Sequence, residues 1–168
     1  MELPNEKILI LAIFAALGCG LMGGLLFAFS NFVMTALAHQ PPSSGVRTMQ
    51  AINVYILNPL FFIVFFGTAV VSFVLAVATI LRVPRSGAPL LLAGSALYLI
   101  GTVGVTMMFN VPLNNRLSVL NPDIAETAKY WLTYLSEWVR WNHVRTIASV
   151  MATALLILAI RQLHVAGE

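Results

Sequence analysis

The polar side chains able to do chemistry in this largely apolar chain collect at two junctions between hydrophobic stretches. Ser30, Asn31, His39, Gln50, Asn53 and Asn58 fall where the first stretch ends and the second begins. Thr106, Asn110, Asn114, Asn142, His143 and Arg145 fall where the third ends and the fourth begins. If four stretches cross a bilayer in turn, both junctions share one face. A histidine there can act as a general base, because its ordinary titration lies near neutral pH. An arginine can neutralise a developing oxyanion, and asparagine amides offer donors and an acceptor that need partners once buried. These types in one place point to acid–base or anion-stabilising chemistry at a shared pocket. The plainer alternatives stay open: serine and threonine bonding their own helix carbonyls, and Arg145 snorkelling to the headgroups.

Other chemistries find less support. A metal or haem site needs several well-placed ligands, and His39, His143, Asp123 and Glu137 are the candidates on this face, without an HxxxH or ExxH pattern. No phosphate-cradling glycine loop, nucleophile elbow or dinucleotide fingerprint is present. The nine Lys and Arg are scattered rather than gathered into a basic patch, which argues against nucleic acid as a partner. Cys19 stands alone, so it offers no disulfide framework.

The elements that must position these residues follow from composition. Hydrophobic residues make up 60% of the 168 positions and charged residues 9%, which describes an integral membrane protein. A spanning helix needs about 20 apolar residues, and we expect spans at about 8–38, 51–82, 89–110 and 139–163 in one membrane domain covering the chain. The first stretch is too long for a signal-peptide core and its flank is not net positive, so it is expected to stay. Arg82 and Arg85, in a short loop without acids, favour both termini in the cytoplasm and, for a prokaryotic chain, the plasma membrane.

Asn121, Pro122 and Asp123 read as a helix start. From there Ile124, Ala128, Trp131, Leu135 and Trp138 recur every three or four residues, so an amphipathic interfacial helix is expected over about 122–137. All three tryptophans lie in or beside it, suited either to anchoring at the headgroups or to covering a flat ligand. The fold class is therefore all-α, a four-helix membrane bundle with an interfacial helix before the fourth span. Polar lines at helical spacing (Asn31, Thr35, His39; Thr102, Thr106, Asn110; Asn142, Thr146, Ser149, Thr153) are expected to face inward. Gly20 and Gly24 form a GxxxG, expected to serve packing within the bundle ahead of homo-oligomerisation.

Four segments carry a resemblance: Phe27-Ala28-Phe29-Ser30, Met49-Gln50-Ala51-Ile52-Asn53, Asn110-Val111-Pro112-Leu113-Asn114 and Trp141-Asn142-His143-Val144-Arg145-Thr146. As a set they resemble the anthrone oxygenase-like family of small four-helix membrane proteins. The resemblance implies an oxygenase that uses O2 as co-substrate on a hydrophobic, aromatic or phenolic small molecule, with no cofactor. Under it His143 would be the base, and Arg145 and Asn110 would stabilise the oxyanion. Asn53, Asn114, Asn142, Ser30, Asn31, Gln50, Phe29, Trp131 and Trp138 would line the substrate site. Two other readings stay open: a non-enzymatic membrane protein binding a lipid, quinone or other hydrophobic ligand, and a haem or metal redox protein using His39 and His143.

Overall fold

A computed structural model of the chain describes residues 5–81 and 87–165. Arg82, Arg85 and most of the loop between the second and third spans lie outside the described residues, as do the side chain of His164 and the chain ends. The described residues form five helices and no strand. We label them α1 (5–38), α2 (Pro42–Tyr55), α3 (Pro59–Ile80), α4 (88–118) and α5 (Ala125–Val165). Four of them, α1, α3, α4 and α5, are long and apolar enough to cross a bilayer. They pack in a ring in which α1 and α4 each lie between α3 and α5. The expected all-α membrane bundle is therefore present.

Three boundaries differ from the sequence reading, each for a local reason. The second span does not run from residue 51, because Pro59 lacks an N–H and forces Asn58 into an extended conformation. The Asn58 side chain then caps the new helix by accepting from the Phe61 N–H at 3.1 Å. Residues 42–55 consequently form a separate helix that buries Val46 and Met49 and exposes Arg47 and Thr48. The third span continues past residue 110 to Ser118, carrying Pro112 within it. Widened π-helical turns at Leu97–Gly104 and Thr106–Asn110 precede that proline and absorb its missing donor and its clash. Finally, Asn121 does not start a helix. Its side chain accepts from the Asp123 N–H at 3.1 Å in a turn, and α5 begins at Ala125.

The amphipathic segment expected before the fourth span is there, but it runs into that span without a break. At 41 residues α5 is about 60 Å long, twice a hydrocarbon core of about 30 Å, so its first third stands beyond the apolar layer. With α2 and the last turns of α1 and α4 it builds a cap around Met34, Leu37, Val46, Met49, Leu117, Trp131, Tyr134 and Trp138. A second core fills the membrane bundle and includes Ile8, Cys19, Phe65, Leu75, Leu91, Tyr98 and Leu156. Arg47 pairs with Asp123, and Gln50 donates to the Leu117 and Leu120 carbonyls at 2.9 and 3.0 Å, so α2 is tied to the end of α4.

Close helix approach is carried by glycines other than the GxxxG pair. A Cβ on Gly101 would stand 2.5 Å from that of Ala148, whereas one on Gly24 would meet nothing within 4 Å and one on Gly20 would only touch Thr153. The packing within the bundle expected of Gly20 and Gly24 therefore falls to Gly101 and its like.

Candidate functional site

Between the two cores lies a cavity of about 210 Å³. Its apolar wall comes from α1 (Met22, Leu25, Leu26, Phe29), from α2 and the link after it (Met49, Ile52, Ile56, Leu57), and from Phe61, Phe62, Phe65 and Phe66 of α3. Met107 and Val111 of α4 and Trp138 of α5 complete it. Four polar residues reach it: Asn53, Thr106, Asn114 and Arg145.

Arg145 is the centre of the polar network. It is 6% exposed, so it does not snorkel to the headgroups. Its Nη1 donates to Thr106 Oγ1 at 3.2 Å and its Nη2 to Asn142 Oδ1 at 2.6 Å, while the guanidinium lies 5.1 Å from the Trp138 ring centroid. Thr106 can accept because its own hydroxyl donates to the Thr102 carbonyl at 2.7 Å. Asn142 is held from the other side. Its amide nitrogen donates to the Leu26 carbonyl at 2.8 Å and to Ser30 Oγ at 2.7 Å, which leaves its oxygen turned to Arg145. Leu26 lies just ahead of a widened π-helical turn at Phe29–Val33, a feature that often marks functional segments.

A second cluster braces the cap side. Asn114 Oδ1 accepts from Tyr134 Oη at 2.8 Å and from Trp138 Nε1 at 2.9 Å, and the buried Asn110 donates to the Trp138 carbonyl at 3.1 Å. Trp138 is thereby fixed in place, with the Phe29 ring centroid 5.7 Å from its own. Two buried donors of the lining residues stay unmatched, Arg145 Nε and the Asn53 amide nitrogen beside Tyr134, and neither atom has surface of its own on the cavity. No carboxylate lines the cavity, and among the described residues the recorded ion pair is that of Arg47 with Asp123, so Arg145 is a buried cation without a counter-ion.

The structure thus brings Arg145, Asn53, Asn114, Phe29 and Trp138 to one cavity, with Asn142, Ser30 and Asn110 one bond behind them. It does not bring the others. His143 is exposed, because on a helix of 3.6 residues per turn a residue two places from the inward Arg145 points about 200° away. The general base expected at His143 does not face this site. Asn31 is exposed too, as are Thr35 and His39 beyond it, and His39 Nδ1 bonds the Thr35 carbonyl at 2.8 Å. The inner face of α1 runs through Leu26, Ser30, Met34 and Leu37, and Asn31, Thr35 and His39 lie on the other side of the helix. Gln50 ties α2 to α4 away from the cavity, and Trp131 is buried in the cap, stacked 5.4 Å from Tyr134. With His39 and His143 both exposed, no group of three or more His, Cys, Asp or Glu among the described residues is placed to hold a metal ion.

Sequence reasoning missed the four phenylalanines of α3. Their spacing (61, 62, 65, 66) marks one helical face, a signal that was available but is indistinguishable from a lipid-facing stripe without the neighbouring helices.

A protein-family model for anthrone oxygenases matches residues 61–155, more than half of the chain. That stretch carries the phenylalanine face, Thr106, Asn110, Asn114, Trp138, Asn142 and Arg145. No curated protein and no solved structure matches the chain.

Proposed function

The chain belongs to the anthrone oxygenase family, and from that membership and its cavity we propose that it is a membrane-embedded oxygenase acting on a hydrophobic, phenolic aromatic molecule. The observation that carries this reading is Arg145, an unpaired cation on the wall of an otherwise apolar and aromatic cavity. A fixed positive charge in a water-poor site favours whatever develops negative charge there. An aromatic ketone with an acidic methylene fits that demand, since removing one proton gives a carbanion whose charge is delocalised onto the phenolate oxygen.

With Arg145 on the oxyanion, the carbon of that anion is electron-rich enough to pass electrons to O2 and combine with it. Loss of water then converts the CH2 to a C=O, so that one oxygen atom enters the product and the other leaves as water with both hydrogens. The first proton is lost to solvent before the substrate enters, so that the anion is what binds, because the residues lining the cavity include no carboxylate and no histidine. Phe61, Phe65, Phe29 and Trp138 supply the walls for a flat ring system. Asn142 and Thr106 hold the guanidinium at its post, which spares the reaction the cost of orienting it.

The test is oxygen uptake by the purified protein in lipid nanodiscs with an anthrone-type phenolic probe. The reading expects one O2 consumed per ketone formed. Tight binding of such probes without uptake would instead make the chain a binding protein for hydrophobic ligands. We further infer from the Arg82 and Arg85 loop that the termini are cytoplasmic, which puts the capped end on the opposite face; cysteine accessibility at Lys129 and Arg161 would report it.

A further inference from the structure

Arginine carries five N–H donors, and the structure matches two of those of Arg145, one to Thr106 and one to Asn142. The unmatched Nε lies beneath the cavity surface, so Arg145 meets a ligand as a positive charge with Nη hydrogens to spare, which favours an anion. Neither Asp nor Glu is among the residues that line the cavity. Charge and inventory agree: the site favours an anion that only accepts.

The rest of the cavity describes the remainder of the ligand. Leu57, Phe62, Phe66 and Met107 line it and are also exposed on the outside of the bundle. α3 packs against α4 up to Gly104 and parts from it beyond, so these side chains flank a lateral gap between the two helices. At that level the outside of a membrane bundle is hydrocarbon, and every side chain at the gap is apolar. A ligand entering there arrives from the bilayer, charged end first.

We propose that the cavity binds a single-chain carboxylate amphiphile drawn sideways from the bilayer, its carboxylate on Arg145 and its chain leaving between α3 and α4. Such a molecule supplies the counter-charge the resting protein lacks and competes for the space of an aromatic substrate. The binding shares the cavity with the proposed oxygenase reaction and does not depend on it.

The experiment compares dodecanoate with methyl dodecanoate, by native mass spectrometry and calorimetry, on the full chain in phosphatidylcholine nanodiscs at a pH where the acid is ionised. The acid should bind at least about 10-fold more tightly than the ester, the worth of a charge-assisted hydrogen bond. Arg145→Gln should erase the preference and Arg145→Lys should reduce it, while Arg140→Gln, on the exposed face of α5, should leave it intact. Met107→Trp, which fills the gap and leaves the charge untouched, should weaken the acid. Equal binding of acid and ester, or a preference that survives in folded Arg145→Gln, overturns the proposal; so does undiminished binding in Met107→Trp. Binding of dodecanoate by a protein that consumes no oxygen with aromatic probes removes the oxygenase reading alone, and the reverse result removes this one alone.

Discussion

The two cores of this protein solve opposite problems with the same helices. In the membrane bundle, small residues bring backbones together, as at Gly101 against Ala148, and the buried polar groups are neutral: Thr102 meets Ser149 at 2.8 Å and Tyr98 donates to the Phe65 carbonyl at 3.0 Å, while the buried Ser72 and Ser95 hydroxyls find no partner. In the cap, large aromatic rings fill the space between the helices, and the polar network beneath them holds a cation with no counter-ion. A buried unpaired cation costs stability, so it persists where the surroundings over-determine it. Asn142, Thr106 and Trp138 do so for Arg145. Close helix approach belongs to the bundle, and the unpaired charge to its junction with the cap.

The largest break of that division should come from Trp131→Ala. Trp131 is buried against Tyr134, with Gly45 of α2 close enough that a Cβ there would be 3.0 Å from the indole. Removing it should cost about 3–5 kcal/mol in the cap. Hydrogen exchange should then rise in α2 and the first third of α5 while the middle of α3 stays protected. Exchange rising equally in both regions would mean that the cores are one cooperative unit.

Asn142→Asp sharpens the comparison by giving Arg145 an internal counter-charge. The chain should still fold, but affinity for anionic ligands and turnover should each fall roughly 10- to 100-fold, since a bond between charged groups is worth about 1.5–3 kcal/mol. Unchanged affinity would show that the charge of Arg145 is not what the ligand reads. Gly101→Ala tests the other region: the added methyl forces α4 from α5 and should cost about 1–3 kcal/mol of thermal stability in detergent, leaving ligand binding by the surviving folded protein unaltered.

Much of the bundle was legible because hydropathy over long stretches needs no neighbours to be interpreted. The break at Asn58-Pro59 was legible too, and was passed over. It carries the same pairing of a capping side chain with proline that was read at Asn121-Pro122, where the structure has a turn. The polar junctions pointed to the end of the molecule where the cavity lies, and to Arg145, Asn53 and Asn114, which line it. Adjacency in sequence misled at His143, since Asn142 and Arg145, three apart, share a face that His143 and Val144 between them do not. Asn31 and His39 failed for a subtler reason. Their own i+4 spacing makes a line but does not say which side it is on, and counting from the buried apolar line Leu26, Met34 and Leu37 puts them outside. The phenylalanine wall was invisible because lipid and ligand ask for the same side chains.

The most direct test sets Arg145→Gln beside His143→Ala in one oxygen-uptake assay with an anthrone-type probe, in nanodiscs, with folding checked by circular dichroism. Loss of a buried donor at an oxyanion lowers rates about 100- to 1,000-fold, and that loss is expected for Arg145→Gln. His143→Ala, whose side chain faces away from the cavity, should turn over like the unaltered chain. A folded Arg145→Gln protein of full activity, or an inactive His143→Ala protein, would contradict the assignment of the chemistry to this cavity.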